Sequence, residues 1–195
     1  MATHSTSSAS RILHTALELF SKKGYDATSV REICEASGIT KPTLYHFFGS
    51  KDGVYRALVD GALEGFHQEI ATRVARPGAA AERLRSVARA YFEYAARERE
   101  MVRFMLSLIY SPSSAAPRTD FPAFYGGLVK LVAGVAEEGV VSGEFAPGPV
   151  DVRMLVLMGA LGEALCGNLI MGAPALTPAL AEELVDAVVN GWRRQ

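Results

Sequence analysis

Residues 40 to 51 read "TKPTLYHFFGSK" and place Lys41, Thr43, Tyr45, His46 and Lys51 within twelve positions of one another. An ammonium, a hydroxyl, a phenol and an imidazole are donors and acceptors that suit phosphate oxygens and the edges of bases. Bond-breaking chemistry would need a different grouping. The remaining histidines, His4, His14 and His67, are scattered, and none joins a Cys/His metal spacing or a nucleophile motif. Glu137 with Glu138, and Glu182 with Glu183, are adjacent pairs of the kind found on solvated helix faces. The chemistry on offer is recognition, and no cofactor or metal is expected.

These groups need a helix to hold them. Thr40 can cap one, which puts Lys41 and Pro42 in a first turn whose N–H groups lack intrahelical partners, so proline removes little there. Leu44 and Phe48, four apart with Phe47 beside them, then share an inward face, leaving Lys41, Thr43, Tyr45 and His46 outward. Upstream, Thr28 or Ser29 caps a shorter helix. Ser29 and Glu32 stand at capping-box spacing, Val30, Ile33 and Cys34 face inward, and Gly38 ends the helix. A first helix from Ser10 carries Leu13, Ala16, Leu17 and Phe20 and stops at Gly24. Two short helices joined through Gly38 form a helix-turn-helix, whose second helix fits the DNA major groove. Lys51 adds to this: a lysine in a first turn opposes the helix macrodipole, and a phosphate there would resolve the conflict.

The stretch "TSVREICEASGITKPTLYHFFGSKDGVYRAL" closely resembles the DNA-binding region of the TetR family of bacterial transcriptional regulators, over about residues 10 to 60. By position, the resemblance implies that Thr40 and Thr43 contact bases or phosphate, Lys41 a base or phosphate, and Tyr45 and Lys51 phosphate. His46 falls at a variable exposed position that can set sequence preference. Pro42, with Thr28 and Ser29 at the start of the preceding helix, completes the candidate DNA-facing set. Gly49 and Cys34 depart from the family pattern, which usually has a basic or polar residue and an alanine there. Cys34 reads as core.

Three-and-four spacing of apolar residues recurs along the chain, so the fold class is all-α with about nine helices. With 195 residues, 49% hydrophobic and 21% charged, the chain falls outside the disordered, collagen-like and disulfide-rich classes. Its net charge of −1 argues against a strongly basic nucleic-acid binder, yet residues 1–56 hold seven Lys/Arg against five Asp/Glu, and residues 57–195 thirteen against sixteen. The expected organisation is a polar tail over 1–9, a helix-turn-helix domain over 10–56, and a ligand-binding and dimerisation domain over 57–195. Two distant cysteines in apolar stretches and an N-terminus without a signal-peptide pattern point to a cytoplasmic protein.

A fourth helix starting near Ser50 carries Val54, Ala57, Leu58, Gly61 and Gly65 on one stripe. The penultimate helix, "DVRMLVLMGALGEALCGNLIMG", is long and apolar, but Glu163, Arg153 and its glycines argue against a membrane span. Ala160, Ala164 and Gly167 follow helical spacing and invite close helix approach. With Leu180, Leu184 and Val188 of the last helix they are the candidate dimer interface. The resemblance implies the same pairing, as a four-helix bundle. Phe66, Tyr91, Tyr94, Met101, Phe104, Met105, Phe121, Phe124, Tyr125 and Met158 are candidates for an apolar effector pocket, which the resemblance also implies. The expected function is a ligand-responsive regulator, a homodimeric repressor released from a palindromic double-stranded operator by a small apolar effector. A ligand-independent DNA-binding regulator is the main alternative, with an all-helical enzyme or an interaction module behind it.

Overall fold

The computed structural model describes residues 2–110 and 116–192, with side chains of 2–7 and 110 left aside. Nine α-helices and no strand occur among them: α1 (Ala2–Lys23), α2 (Val30–Ser37), α3 (Lys41–Phe48), α4 (Lys51–Val74), α5 (Ala80–Arg97), α6 (Arg99–Tyr110), α7 (Phe121–Val141), α8 (Val150–Met171) and α9 (Pro178–Val189), closed by a 3-10 turn (Asn190–Trp192). The helix order is the one the periodicity predicts. Most ends fall where capping chemistry puts them. Ser29, Thr40 and Thr177 each accept a first-turn backbone N–H through their side chains, and Gly38 ends α2 in the left-handed region at φ 64°.

Two ends differ from expectation. The first helix begins at Ala2, upstream of Ser10, so the polar stretch expected as a tail continues the helical ladder. Once the packed segment from Ile12 to Phe20 has nucleated a helix, each added residue fixes little more than its own backbone for one more hydrogen bond. The fifth and sixth helices part at Glu98, a boundary that "ARERE" does not mark. Of the expected Pro/Ser loop over 111–120, residues 111–115 lie outside the described residues.

The chain divides into two compact units, Met1–Glu64 with Glu100–Asp120, and Gly65–Arg99 with Phe121–Gln195. The sequence places the division at residue 56 and assigns the whole sixth helix to the second part. In the structure α6 supplies Phe104 to the first unit, where it stacks on Phe20 at 6.2 Å and meets Tyr55 edge-on at 6.1 Å. Ile12, Ala16, Ile33, Leu44, Val54 and Val59 fill the rest of that core. Ile12 is fully buried, one position before the stripe counted from Leu13.

The second unit wraps α7, α8 and α9 around α5. Its core includes Leu84, Val87, Phe92, Val132, Phe145, Met154, Leu157 and Val185. The N-terminus of α5 has no side-chain cap of its own. The Glu144 carboxylate accepts the Ala80 and Ala81 N–H groups at 2.6 and 2.9 Å, from 64 and 63 residues away. Arg85 pairs with Asp186, and Arg89 with Glu182, tying α5 to α9.

Candidate DNA-binding surface

The α2–turn–α3 segment is fixed by local bonds. The Ser29 hydroxyl accepts the Glu32 N–H at 3.2 Å, while the Glu32 carboxylate accepts the Ser29 N–H at 2.8 Å. Lys23 reaches the same carboxylate at 2.5 Å, and these donors hold the Glu32 acid at a pKa of about 2, the lysine contributing most. After α2, the Ile39 N–H bonds back to the Cys34 carbonyl at 3.0 Å. Thr40 then starts α3, its Oγ1 accepting the Thr43 N–H at 3.4 Å and lying 2.8 Å from the Thr43 hydroxyl.

This places the α3 side chains as the spacing predicts. Leu44 is fully buried, and Phe47 and Phe48 pack against the same core. Thr40, Lys41, Pro42, Tyr45 and His46 are exposed, Tyr45 at 49%. Thr43 is half-buried, with its hydroxyl engaged by Thr40. A short helix thus offers an ammonium, a phenol and an imidazole to solvent from a rigid support, as a groove-reading helix must.

Three candidates at the edges of this surface stand differently from expectation. Thr28 is 1% exposed and its hydroxyl donates to the Gly24 carbonyl at 2.8 Å, so its side chain is a turn element and cannot reach a duplex. Ser29 is exposed but its hydroxyl is committed to the capping box. Lys51 does not extend a free ammonium: its Nζ donates to the carbonyls of Tyr25 at 3.0 Å and Thr28 at 2.9 Å. These carbonyl oxygens offset the macrodipole conflict that its position creates. Sequence reasoning passed over Tyr25 and Asp52. Tyr25 is buried against Phe20 and Tyr55, and its hydroxyl donates to Asp52. Burial first, and then the Asp52 carboxylate, hold its phenol far above the usual range. Its only sequence signal is an aromatic residue directly after the helix-stopping Gly24. Burial also pushes the Cys34 thiol up, the opposite of an activated cysteine.

Residues 12–58 match the model of the bacterial regulatory proteins of the tetR family. Over that segment the chain resembles the tetR family. The chain is 22% identical over 183 residues to the fatty acid metabolism regulator protein of Bacillus subtilis, spanning 93% of each. It superimposes on the TetR family transcriptional regulator PfmR from Thermus thermophilus with a TM-score of 0.75 at 27% identity, covering 94% of this chain and 100% of that one. FadR from Bacillus subtilis in complex with stearoyl-CoA shares the fold, with a TM-score of 0.71 at 20% identity and coverage of 93% and 97%. The chain spans only 26–39% of three other curated HTH-type regulators that it matches. These relatives all bear the names of regulators.

The effector candidates do not form one group. Phe66 lies 4.9 Å from Tyr94, 5.6 Å from Tyr91 and 6.4 Å from Phe124, ring centre to ring centre, and these four belong to the second unit. Met158 is buried in that unit's core, Phe121 is half-buried and Tyr125 is exposed. Phe104 is a core residue of the first unit, with Met101 and Met105 packed on the same cluster, because α6 carries its apolar face there.

The dimer candidates need a similar correction. Ala164 and Gly167 are buried within their own unit, and a Cβ on Gly167 would lie 2.8 Å from the Ala173 carbonyl oxygen. The small residues serve close approach inside the subunit. Ala160, Leu180, Leu184 and Val188 are half-buried. The apolar stripe that α8 leaves open is Val152, Leu155, Val156 and Ile170, with Gly159 and Glu163 between them. Leu155 is 73% and Ile170 81% exposed. By length and composition α8 could cross a membrane, but half of its most apolar stretch is buried inside its own unit. Among the described residues no group of His, Cys, Asp and Glu is arranged to hold a metal ion.

Proposed function

We propose that the chain is a cytoplasmic, ligand-responsive transcriptional regulator that binds a two-fold operator as a homodimer. The observation that carries this reading is α3, capped by Thr40, seated through Leu44 and exposing Lys41, Tyr45 and His46. One such helix offers too few contacts for useful specificity, so two half-sites and two chains are required. The open stripe of α8 supports the pairing. Large apolar side chains at helical spacing, exposed together, gain about 1.5–3 kcal/mol each when a partner covers them.

The effector we propose is a long-chain acyl thioester. The name of the Bacillus relative and the stearoyl-CoA held by a protein of the same fold support that class. The Phe66, Tyr91, Tyr94 and Phe124 rings supply an aromatic cluster suited to an apolar chain. Its binding favours a spacing of the two α3 helices that no longer matches successive major grooves, so operator affinity falls and transcription is released. Gly61 and Gly65, where a Cβ would meet open space, are placed in α4 so as to ease that movement.

Titration of an operator complex with acyl-CoA thioesters of increasing chain length tests the reading. Release that strengthens with chain length supports it. Undisturbed binding at saturating thioester would leave a ligand-independent regulator.

A further inference from the structure

Val152, Val156, Gly159, Glu163, Cys166 and Ile170 follow one another at intervals of four and three residues, and so form a single line along α8. All but the half-buried Cys166 are exposed. One carboxylate thus stands in the middle of an otherwise uncharged seam. The helices around it offer few bases. From Val150 to Trp192 the chain has five acids, Asp151, Glu163, Glu182, Glu183 and Asp186, and one base, Arg153. Arg153 is buried, its guanidinium donating to the Ala146 carbonyl at 2.6 Å and facing the Trp192 ring at 5.2 Å. On α5, which packs against α8, Arg83, Arg85, Arg89 and Arg97 are already paired with Glu138, Asp186, Glu182 and Glu69. Arg99, at the start of α6, is bound to Asn168, and α7 carries one base, Lys130, against Glu137 and Glu138.

We propose that Glu163 enters the interface between two copies of the chain as the protonated acid, so that pairing is linked to proton uptake. The inference rests on the homodimer reading above. In a two-fold pairing the same patch meets itself, so each acid on it enters twice. Covering the seam takes the carboxylate out of water, which disfavours the ionised form, and two such groups on one interface repel each other as well. A carboxyl that gains its proton on pairing holds it more tightly in the dimer than in the free chain. The dimer is therefore favoured as pH falls and loosens as pH rises.

Sedimentation of the full-length protein at about pH 5.5 and about pH 7.5, beside Glu163→Gln, tests this. The dissociation constant of the unaltered dimer should rise about tenfold or more from the lower to the higher pH. Glu163→Gln, neutral at both, should pair about tenfold or more tightly than the unaltered protein at the higher pH and change little between the two. A dissociation constant of the unaltered dimer that holds steady with pH would mean that Glu163 keeps its charge at a wet rim, and overturns the proposal. So does a pH effect that survives in Glu163→Gln, or weaker pairing of that variant, the mark of a base answering the carboxylate. Monomers at both pH values, for both proteins, would refute the homodimer reading itself, and this proposal with it.

Discussion

Gly53 lies in the first turn of α4, and a Cβ built on it would stand 1.7 Å from the Phe48 carbonyl oxygen and 2.9 Å from its carbon. In an open helix, Gly→Ala is expected to stabilise by up to about 1 kcal/mol. Here the obstacle is backbone and cannot rotate away. Relieving the contact to ordinary van der Waals distance needs a shift of roughly 1.5 Å or more between the end of α3 and the start of α4. That shift disturbs the bond from the Ser50 N–H to the Phe48 carbonyl at 2.8 Å and the cap from the Gly53 N–H to the Ser50 hydroxyl at 3.0 Å. A lost cap costs about 1 kcal/mol, and the strain adds to it, so Gly53→Ala should destabilise the first unit by about 1–3 kcal/mol. Because α3 carries the exposed Lys41, Tyr45 and His46, duplex affinity should fall at least about tenfold. Gly61→Ala is the control, since nothing lies within 4 Å of its Cβ, and it should stabilise by up to about 1 kcal/mol. Amide exchange across α3 and the start of α4, with duplex titration, reads both effects. Gly53→Ala as stable as Gly61→Ala, with undiminished binding, would refute the close α3–α4 joint.

Glu144→Gln replaces a carboxylate at the α5 N-terminus and should lower the stability of the second unit by about 1 kcal/mol in thermal denaturation, without changing duplex affinity. The depressed Glu32 pKa means that its capping contribution is full above the unfolded carboxylate range and is lost as pH falls through about 2; the stability difference between the protein and Glu32→Ala should therefore shrink between pH 5 and 2, about the span separating the two pKa values. Leu155→Glu puts a charge in the open stripe of α8 and should raise the dimer dissociation constant by about a hundredfold or more in sedimentation, with operator binding weakened in parallel.

What the sequence discloses here is what short-range physics decides. The Ser29–Glu32 box, Thr40 as cap, Pro42 in a first turn and Gly38 as stop all depend on partners within four residues, and each stands as expected. The inward Leu44 and outward Lys41, Tyr45 and His46 follow from helical period alone. What the sequence hides lies where a partner is distant. Thr28 reads as a surface hydroxyl because its burial depends on how the turn folds over the first unit, and the carbonyl acceptors of Lys51 are backbone oxygens, which leave no mark in sequence. Phe104 joins an aromatic cluster with Phe20 and Tyr55, residues 84 and 49 positions earlier, which no periodicity encodes. The small residues of α8 do signal close approach, but Ala164 and Gly167 meet it inside their own subunit. The open stripe through Leu155 has the same helical spacing as a core face, so its exposure emerges only once α8 is packed.

Selection of bound fragments from sheared genomic DNA by the purified full-length protein tests the central claim most directly, repeated with Lys41→Ala combined with Tyr45→Phe. The account predicts enrichment of an inverted repeat with half-sites about one helical turn apart or more, lost or strongly reduced for the doubly substituted protein. Recovery of no preferred sequence at low salt, or equal enrichment by both proteins, would contradict it.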